Sequence, residues 1–404
     1  MAKVIVIGGG AAGMMAAITA SLKHQVILIE QNEKLGKKLF ITGKGRCNIT
    51  NSISIDEFFE NIPGNPYFLY SSLYSFTNND LMNFMEGLGV KLKVERGGRV
   101  FPESNKSSDI IAALEKELKK RDVKVILNSK VTNIDFKGDI IKSVVTSNNE
   151  IIKGDIFILC TGGKSYPQTG STGDGYKFAK DMGHNIVEPK PSLVPIEIEE
   201  SFIGELQGLS LKNVRLYIKK DKKIIYENFG EMLFTHYGIS GPIVLSGSRV
   251  VNYKKNLKAV IDLKPALDEK ELDLRLQKDF MKYINKDFKN ALDDLLPQKL
   301  IPVIIKLSKI AENKKVNLIT KSERKNIAKA IKEFTLTIKG LRPIAEAIIT
   351  AGGVDVKDID PSTLKSKKIS NLYFSGEIID VDAYTGGFNL QIAMSTAHLA
   401  GKNI

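Results

Sequence analysis

The sequence predicts an α/β fold: a Rossmann-like domain assembled from both ends of the chain, interrupted by a β domain that itself carries a helical subdomain. Three observations predict it. The chain opens on an apolar strand that runs straight into a glycine turn, VIVIGGGAAG (Val4–Gly13). Glycine then disappears after Gly247 and returns only at Gly340, so the two ends share a composition that the middle lacks. Between them the apolar period changes twice, from helical to alternating near Val123 and back to helical near Leu267. The expected boundaries are 1–190 with 342–404 for the first domain, 191–264 with 333–341 for the β domain, and 265–332 for the helices.

Val4, Ile5, Val6 and Ile7 are β-branched and fit a short buried strand. Gly8, Gly10 and Gly13 follow at the spacing G-x-G-x-x-G, then a helix rich in Ala and Met runs to about Leu22. A second apolar strand, Val26–Ile29, is closed by Glu30. In this βαβ context Gly8 permits the tight turn and Gly10 lets a pyrophosphate approach the backbone. Gly13 and Ala17 let the helix lie close on the sheet. The free N–H groups at the helix start would hold the diphosphate, and Glu30 is placed to accept hydrogen bonds from ribose hydroxyls. The alternative is a tight turn with no ligand.

The loop Gln31–Asn51 is long for a compact α/β unit, which marks it as functional. Lys37, Lys38, Lys44 and Arg46 give it a positive field beside the expected diphosphate, and Arg46-Cys47-Asn48 combines a cation, a soft residue and an amide. Cys47 reads either as a site residue or, by preference, as a small buried residue without redox work. Residues 54–121 are mostly helical, with Thr77 and Asp80 as a capping box and Ser108 capping Ile110–Lys120. Arg99, in the short strand or turn Arg96–Glu103, faces either a substrate or a surface partner.

From Val123 successive strands follow, with a turn at Lys137-Gly138-Asp139, and Ile156–Cys160 delivers a second glycine loop, Thr161–Tyr176. Its five glycines imply close approach by a ligand or another backbone. Pro189, Pro191 and Pro195 mark a boundary. Alternating segments then build a small β domain, interrupted at Gly230–Ser248 by small and polar residues around His236. Helical faces occur at Leu272–Tyr283, Leu300–Ile310 and Ile327–Ile331, before Phe334–Ile338 returns to the β domain. At the C-terminal end Leu372–Ser375 is a last strand, and Gly386-Gly387 starts a helix from Asn389 to Ala400.

A formal charge of +13 raises the possibility of nucleic acid. The basic residues are mostly Lys in short scattered runs, Trp is absent and no aromatic residues interleave with them, which reads as solvated lysine faces. Attraction of an anionic substrate stays open. Cys47 and Cys160 are the only cysteines, so neither a disulfide framework nor a metal site is expected. The strand follows Met1, Ala2 and Lys3 directly and no apolar run approaches a membrane span, so a cytoplasmic chain is expected. The sequence implies no particular oligomeric state.

Four stretches, GGGAAG with Glu30, ITGKGRCNITN, GEMLFTHYGISGP and SGEIIDVDAYTGGFNLQIA, resemble in order the BaiN/YhiN-like flavoproteins, the aminoacetone oxidase family of NAD(P)/FAD-dependent oxidoreductases. The resemblance spans nearly the whole chain, and the TGSTGDGY loop is similar to that of fumarate-reductase-type flavoproteins. It implies a glutathione-reductase-type FAD domain. Ala12 and Glu30 would serve the ADP half, with Val131 at the adenine. Arg46, Cys47, Asn48, Thr161 and Gly162 would lie along the flavin side, and Gly376, Glu377 and Asp380 along the ribityl chain and diphosphate. Gly387, Asn389 and Leu390 would meet the pyrimidine edge, where a helix N-terminus favours the negative charge of a reduced flavin.

The expected function is an FAD-dependent oxidoreductase that moves hydride between flavin N5 and a small organic molecule, an amine or an enone-like compound. His236 is the leading titratable candidate for proton transfer, followed by Tyr166, Lys164 and Tyr237. Alternatively, the His236 imidazole fixes the Gly230–Ser248 turn. No second strand–G-x-G-x-x-G–helix unit occurs, so NAD(P)H would visit transiently or another acceptor would serve. Two other classes stay open: a flavin-containing RNA-binding or RNA-modifying protein, and a flavin-binding module without turnover.

Overall fold

The computed structural model describes residues 1–252 and 254–404. The chain divides into two compact units, Met1–Ser192 with Ile344–Ile404, and Leu193–Pro343.

The first unit is built on a five-stranded parallel sheet. Strand β1 (Lys3–Ile7) is its centre, followed in sequence by helix α1 (Ala11–Ala20) and strand β2 (Gln25–Ile29). Across the sheet the order is Leu372–Phe374, Ile156–Leu159, β1, β2 and Lys124–Ile126. The register pairs Val4 with both Ile156 and Val26, and Phe157 with Leu372. A parallel sheet is covered on both faces, which is why β1 is a continuous apolar run rather than an alternating one; Val4, Ile5 and Val6 are fully buried. Helix α1 is buried on nearly every side and carries no charge. One flank meets the C-terminal helix Phe388–Lys402 so closely that a β-carbon at Gly401 would lie 2.9 Å from the Ala16 carbonyl oxygen. The last turn of the chain is thus packed on the first helix.

Smaller sheets surround this core. Val131–Lys137, Ile140–Thr146 and Ile151–Lys153 form an antiparallel meander, turning at Gly138 (φ 63°). Ile186–Ser192 pairs with Ile349–Val354, and its register shifts between Val187 and Lys190, where Pro189 has no N–H to give the ladder. The Thr77–Asp80 capping box is present, with each residue's side chain bonded to the other's backbone N–H.

Two local expectations change. The loop Gln31–Asn51 contains a short helix, α2 (Lys37–Ile41), entered through left-handed Gly36. Ser108 does not cap the following long helix. That helix spans Ser107–Lys120, the Ser108 hydroxyl bonds Asp109, and the Ser107 hydroxyl donates instead to the Phe40 carbonyl at 2.6 Å.

The second unit is a closed six-stranded barrel. Around it run Ile196–Ile198, Gly238–Ser240, Lys223–Phe234, Ser210–Lys220, Leu257–Asp262 and Phe334–Leu341, the last pairing with the first. The segment Gly230–Ser248 does not interrupt the β domain as loose chain. It ends one strand, supplies another and starts the helix Pro242–Val251. Gly247 on that helix lies against Tyr226 and Ile218, with no room for a side chain. Helices Glu269–Lys282, Ile301–Ser308 and Lys321–Lys332 are inserted between the last two barrel strands in sequence.

Candidate functional site: a glycine-lined crevice at the strand ends

The five parallel strands deliver their carboxyl ends to one edge of the sheet, where open α/β folds bind ligands. The first glycine loop is fixed by contact. Gly8 has φ 104°, and a β-carbon there would sit 2.5 Å from the Cys160 carbonyl oxygen. A β-carbon at Gly13 would lie 1.7 Å from the Gly8 carbonyl oxygen. Gly10 differs: nothing lies within 4 Å of its β-carbon position. It caps α1 without a side chain, so the helix presents backbone N–H groups to open space. Asp174–Asp181 after Gly173 and Phe388–Lys402 after Gly387 likewise start on glycine caps without side-chain bonds, as do α2 after Gly36 and Pro242–Val251 after Gly241.

Glu30 is buried at the end of β2. One carboxylate oxygen accepts the Gly9 N–H at 2.6 Å; the other accepts the Asn32 N–H at 2.8 Å and its side-chain amide at 2.6 Å. Three of its roughly four acceptor positions are used within the chain, so Glu30 shapes the loop as well as offering an acceptor. The second glycine loop is tied to the same segment. Gln31 donates to the Gly170 carbonyl at 2.5 Å and Asn32 to the Thr169 carbonyl at 3.0 Å.

A polar cluster joins three of the loops. Lys38, on α2, donates to Glu377 and to the Ser165 hydroxyl, each at 2.6 Å. Glu377 also accepts from Ser165 at 3.0 Å and from the Thr350 N–H at 2.8 Å. The Thr350 hydroxyl in turn accepts the Lys164 and Ser165 N–H groups. Gly163 makes room for this: a β-carbon there would lie 2.3 Å from the Thr350 hydroxyl. Next to Glu377, left-handed Gly376 lies against Ala12 of α1. The beginning of the chain, its middle loop and its C-terminal motif therefore meet at one place.

The other sequence-selected residues divide into those committed to partners and those left open. Arg46 bonds Glu95 and Asn105, and its guanidinium lies 4.2 Å over the Phe101 ring. Asn389 holds the preceding loop, bonding the Ala383 N–H and the Ala383 and Tyr384 carbonyls. Gly387 backs onto the Thr50 carbonyl, Leu390 is half-buried beside it, and Val131 is buried at the start of the meander. Asp380 accepts from Asn65; burial, then the nearby charges of Asp382 and Asp355, push its carboxyl above the usual range. Burial pushes the thiols of Cys47 and Cys160 up to about 12, so both stay protonated near neutrality. Left-handed Gly162 faces the Ser171 hydroxyl, and Tyr166 is left-handed too (φ 50°).

By contrast, the Asn48 side-chain oxygen and the Thr161 hydroxyl are buried with no hydrogen-bond partner among the described residues. The Ser72 and Ser75 hydroxyls share that condition among the described residues, and a buried polar atom without a partner is costly.

His236 belongs to the second unit, exposed between two barrel strands with its ring edge-on to Tyr237. Arg342 covers the Tyr237 ring at 4.6 Å. The remaining histidines are structural: His24 contacts the Ile404 carbonyl, His184 is held by Ala179 and Ser366, and His398 stacks on Phe76. Sequence reasoning missed Ser165 and Thr350, whose only signal is a small polar residue two positions from a glycine. Among the described residues no group of His, Cys, Asp and Glu is arranged to hold a metal, and no helix is long and apolar enough to cross a membrane.

A parallel sheet with a glycine-wrapped helix start at its carboxyl edge is the Rossmann arrangement, and the relatives give the class: a Rossmann-type flavoprotein oxidoreductase. The chain belongs to the family described as HI0933-like protein Rossmann domain, whose model matches residues 2–403. It is 31% identical over 415 residues to a 3-dehydro-bile acid delta(4,6)-reductase of Clostridium scindens, covering 100% of this chain and 98% of that one. It is 32% identical over 407 residues to a ribosomal RNA dihydrouridine synthase of Haemophilus influenzae, covering 99% and 98%. Among solved structures, a 3-ketosteroid delta1-dehydrogenase of Sterolibacterium denitrificans shares the fold, with a TM-score of 0.53 at 13% identity, covering 99% and 98%.

Proposed function

We propose that this chain is an FAD-dependent reductase of a carbon–carbon double bond conjugated to a carbonyl, acting on a small organic substrate. The observation that carries it is a shared chemistry. A delta(4,6)-reductase and a dihydrouridine synthase, each about as similar to this chain as the other, both saturate a double bond polarised by a neighbouring carbonyl. This favours the enone over the amine.

The residues present fit FAD. The open side of Gly10 and the uncapped start of α1 suit a diphosphate, Glu30 suits a ribose, and Asn48 and Thr161 each have an unsatisfied buried oxygen that a polar ring could complete. FAD, when bound, supplies a hydride donor and acceptor at N5. The uncapped helix start after Gly387 would favour negative charge on a group held there. Lys38, Ser165, Thr350 and Glu377 tie the three loops together and would hold the site's shape when the cofactor binds. Reduction of the substrate adds hydride to the carbon remote from the carbonyl and a proton to the adjacent one. We assign that proton to Tyr166, the titratable side chain on the second glycine loop. The electrons come from a reductant such as transiently bound NAD(P)H.

The test is anaerobic. Protein loaded with FAD and reduced by dithionite is mixed with a 3-oxo-4,6-diene steroid, 2-cyclohexenone, or their saturated analogues. Flavin reoxidation by the unsaturated compounds alone is expected; reoxidation by none of them sinks the proposal. A second reading, that the reduced ring is a uracil in RNA, is favoured by the second relative and by the charge of +13. Reoxidation by an oligouridylate and by no free enone would select it.

A further inference from the structure

The inserted helix Glu269–Lys282 packs one face on its core and turns an apolar row the other way. Leu272, Leu276, Asp279 and Phe280 are buried. On the opposite side Leu274 is 65% exposed and Met281 74% exposed. They lie seven positions apart, so after two turns they stand within about 20° of one another around the helix axis. A single exposed Leu is ordinary. Two large apolar side chains in line at the middle of an outward face are not, and the helices Ser107–Lys120 and Lys321–Lys332 expose no large apolar side chain at all.

Lysines flank the pair. Lys270 is four positions before Leu274 and Lys278 four after it, on the same side of the helix. Both are exposed, and among the described residues neither makes a hydrogen bond, ion pair or ring contact. The acids nearby are occupied: Glu271 in the capping box with Asp268, and Asp273 by Arg324 at 2.9 Å. The face is therefore apolar along its middle, with free positive charge on its flanks. That pattern suits the boundary of a lipid bilayer, where apolar side chains enter the acyl region and ammonium groups stay with the headgroups.

We propose that the outward face of Glu269–Lys282 is a peripheral membrane contact: Leu274 and Met281 enter the surface of a bilayer, and Lys270 and Lys278 pair with its anionic headgroups. Charge complementarity selects this occupant. A second copy set face to face across a two-fold axis would bring free lysines against free lysines. A nucleic acid would meet the lysines but take nothing from Leu274 and Met281, because its bases stack on aromatic rings. An anionic bilayer satisfies both features of the face.

The test uses the FAD-loaded full chain and sucrose-loaded vesicles of phosphatidylcholine, alone or mixed equally with phosphatidylglycerol, and reads co-sedimentation. The chain is expected to sediment with the mixed vesicles and far less with the neutral ones. Leu274→Ser with Met281→Ser keeps every charge and weakens binding by about tenfold. Lys270→Gln with Lys278→Gln also weakens it by about tenfold. Lys325→Gln with Lys329→Gln removes the same charge from the exposed side of Lys321–Lys332 and changes binding little. All six side chains are exposed, so thermal midpoints stay unchanged. A fluorophore on Met281→Cys shifts to shorter emission wavelength with the mixed vesicles; both natural cysteines are buried and stay unlabelled. The proposal is overturned if the wild type ignores both vesicles, if the Leu274 and Met281 pair binds as the wild type does, or if the label does not shift. Equal losses from the two lysine pairs overturn it too, since they would mean diffuse attraction by the net charge of +13. A wild-type dimer that the Leu274 and Met281 substitutions dissociate, without vesicles, overturns it in favour of self-association. Oligouridylate binding weakened by Lys270→Gln with Lys278→Gln, with vesicle binding unchanged, overturns it in favour of nucleic acid.

Discussion

The ammonium of Lys38 lies 2.6 Å from the carboxylate of Glu377, although 339 positions separate them in the chain. Both side chains are about four-fifths buried, at 22% and 20% exposure. An ion pair so placed contributes less by its own attraction than by what its loss would strand. Glu377 also satisfies Ser165 and the Thr350 N–H.

Glu377→Ala therefore leaves three donors short of an acceptor and should cost about 1–3 kcal/mol. Lys38→Met leaves the carboxylate with Ser165 and Thr350 and should cost less. Thermal midpoints of the apoprotein check the order. Equal losses from the two substitutions would show that the loops are not held through Glu377.

The two glycines of the first turn give a sharper contrast. Gly13→Ala places a methyl group 1.7 Å from the Gly8 carbonyl oxygen, a backbone atom that cannot step aside. It should abolish the turn and with it the soluble protein. Gly10→Ala meets nothing within 4 Å and has an ordinary φ of −78°. It should fold with an unchanged midpoint yet lose FAD affinity by about tenfold or more, because the methyl group occupies the approach of the diphosphate. Titration of both apoproteins with FAD separates the outcomes, and undiminished FAD binding by Gly10→Ala would move the diphosphate elsewhere.

Why some of this was legible in the sequence and some not follows from where the information lies. The β1–α1–β2 unit is local: β-branched residues, glycine spacing and Glu30 occur within thirty residues, and the Thr77–Asp80 box within four. The Lys38–Glu377 pair is not local, and no pattern near either residue names the other. Arg46 illustrates the converse. Its neighbours suggest a positive field, but the folded chain brings Glu95 to it from a separate hairpin and Asn105 from the turn that follows, and the Glu95 carboxylate offsets its charge. The helix Pro242–Val251 was missed because it is poor in helix formers. Its Ser and Gly residues are set by tertiary contact, with Gly247 pressed on Tyr226.

A pH dependence follows from Asp380. Burial and the charges of Asp382 and Asp355 raise its carboxyl above the ordinary 3.8 in the folded protein. The native state then binds this proton more tightly than the unfolded chain, so the contribution of Asp380 falls as pH rises from 3.8 through the raised value. Above that window a buried carboxylate is carried at a cost. Asp380→Asn should accordingly raise the thermal midpoint at pH 7 and lose that advantage as pH is lowered toward 4. Wild type and variant compared across that range check the sign, and a variant less stable at pH 7 would refute it.

Thr161 offers the cleanest separation of folding from binding. Its hydroxyl is buried without a partner, and a β-carbon on Gly175 would lie only 1.9 Å from it, so the side chain has little freedom to find one. In the apoprotein the group is a liability of about 1–3 kcal/mol. Thr161→Val keeps the shape and removes the unmet hydrogen bond, so apoprotein stability should rise. If the oxygen is reserved for the cofactor, FAD affinity should fall in the same variant, and the stabilisation that FAD confers should shrink with it. Midpoints with and without saturating FAD measure both quantities in one experiment. A variant that gains stability in the apo form and keeps its full response to FAD would mean that the hydroxyl faces no ligand, and that this edge of the crevice is closed by the protein alone.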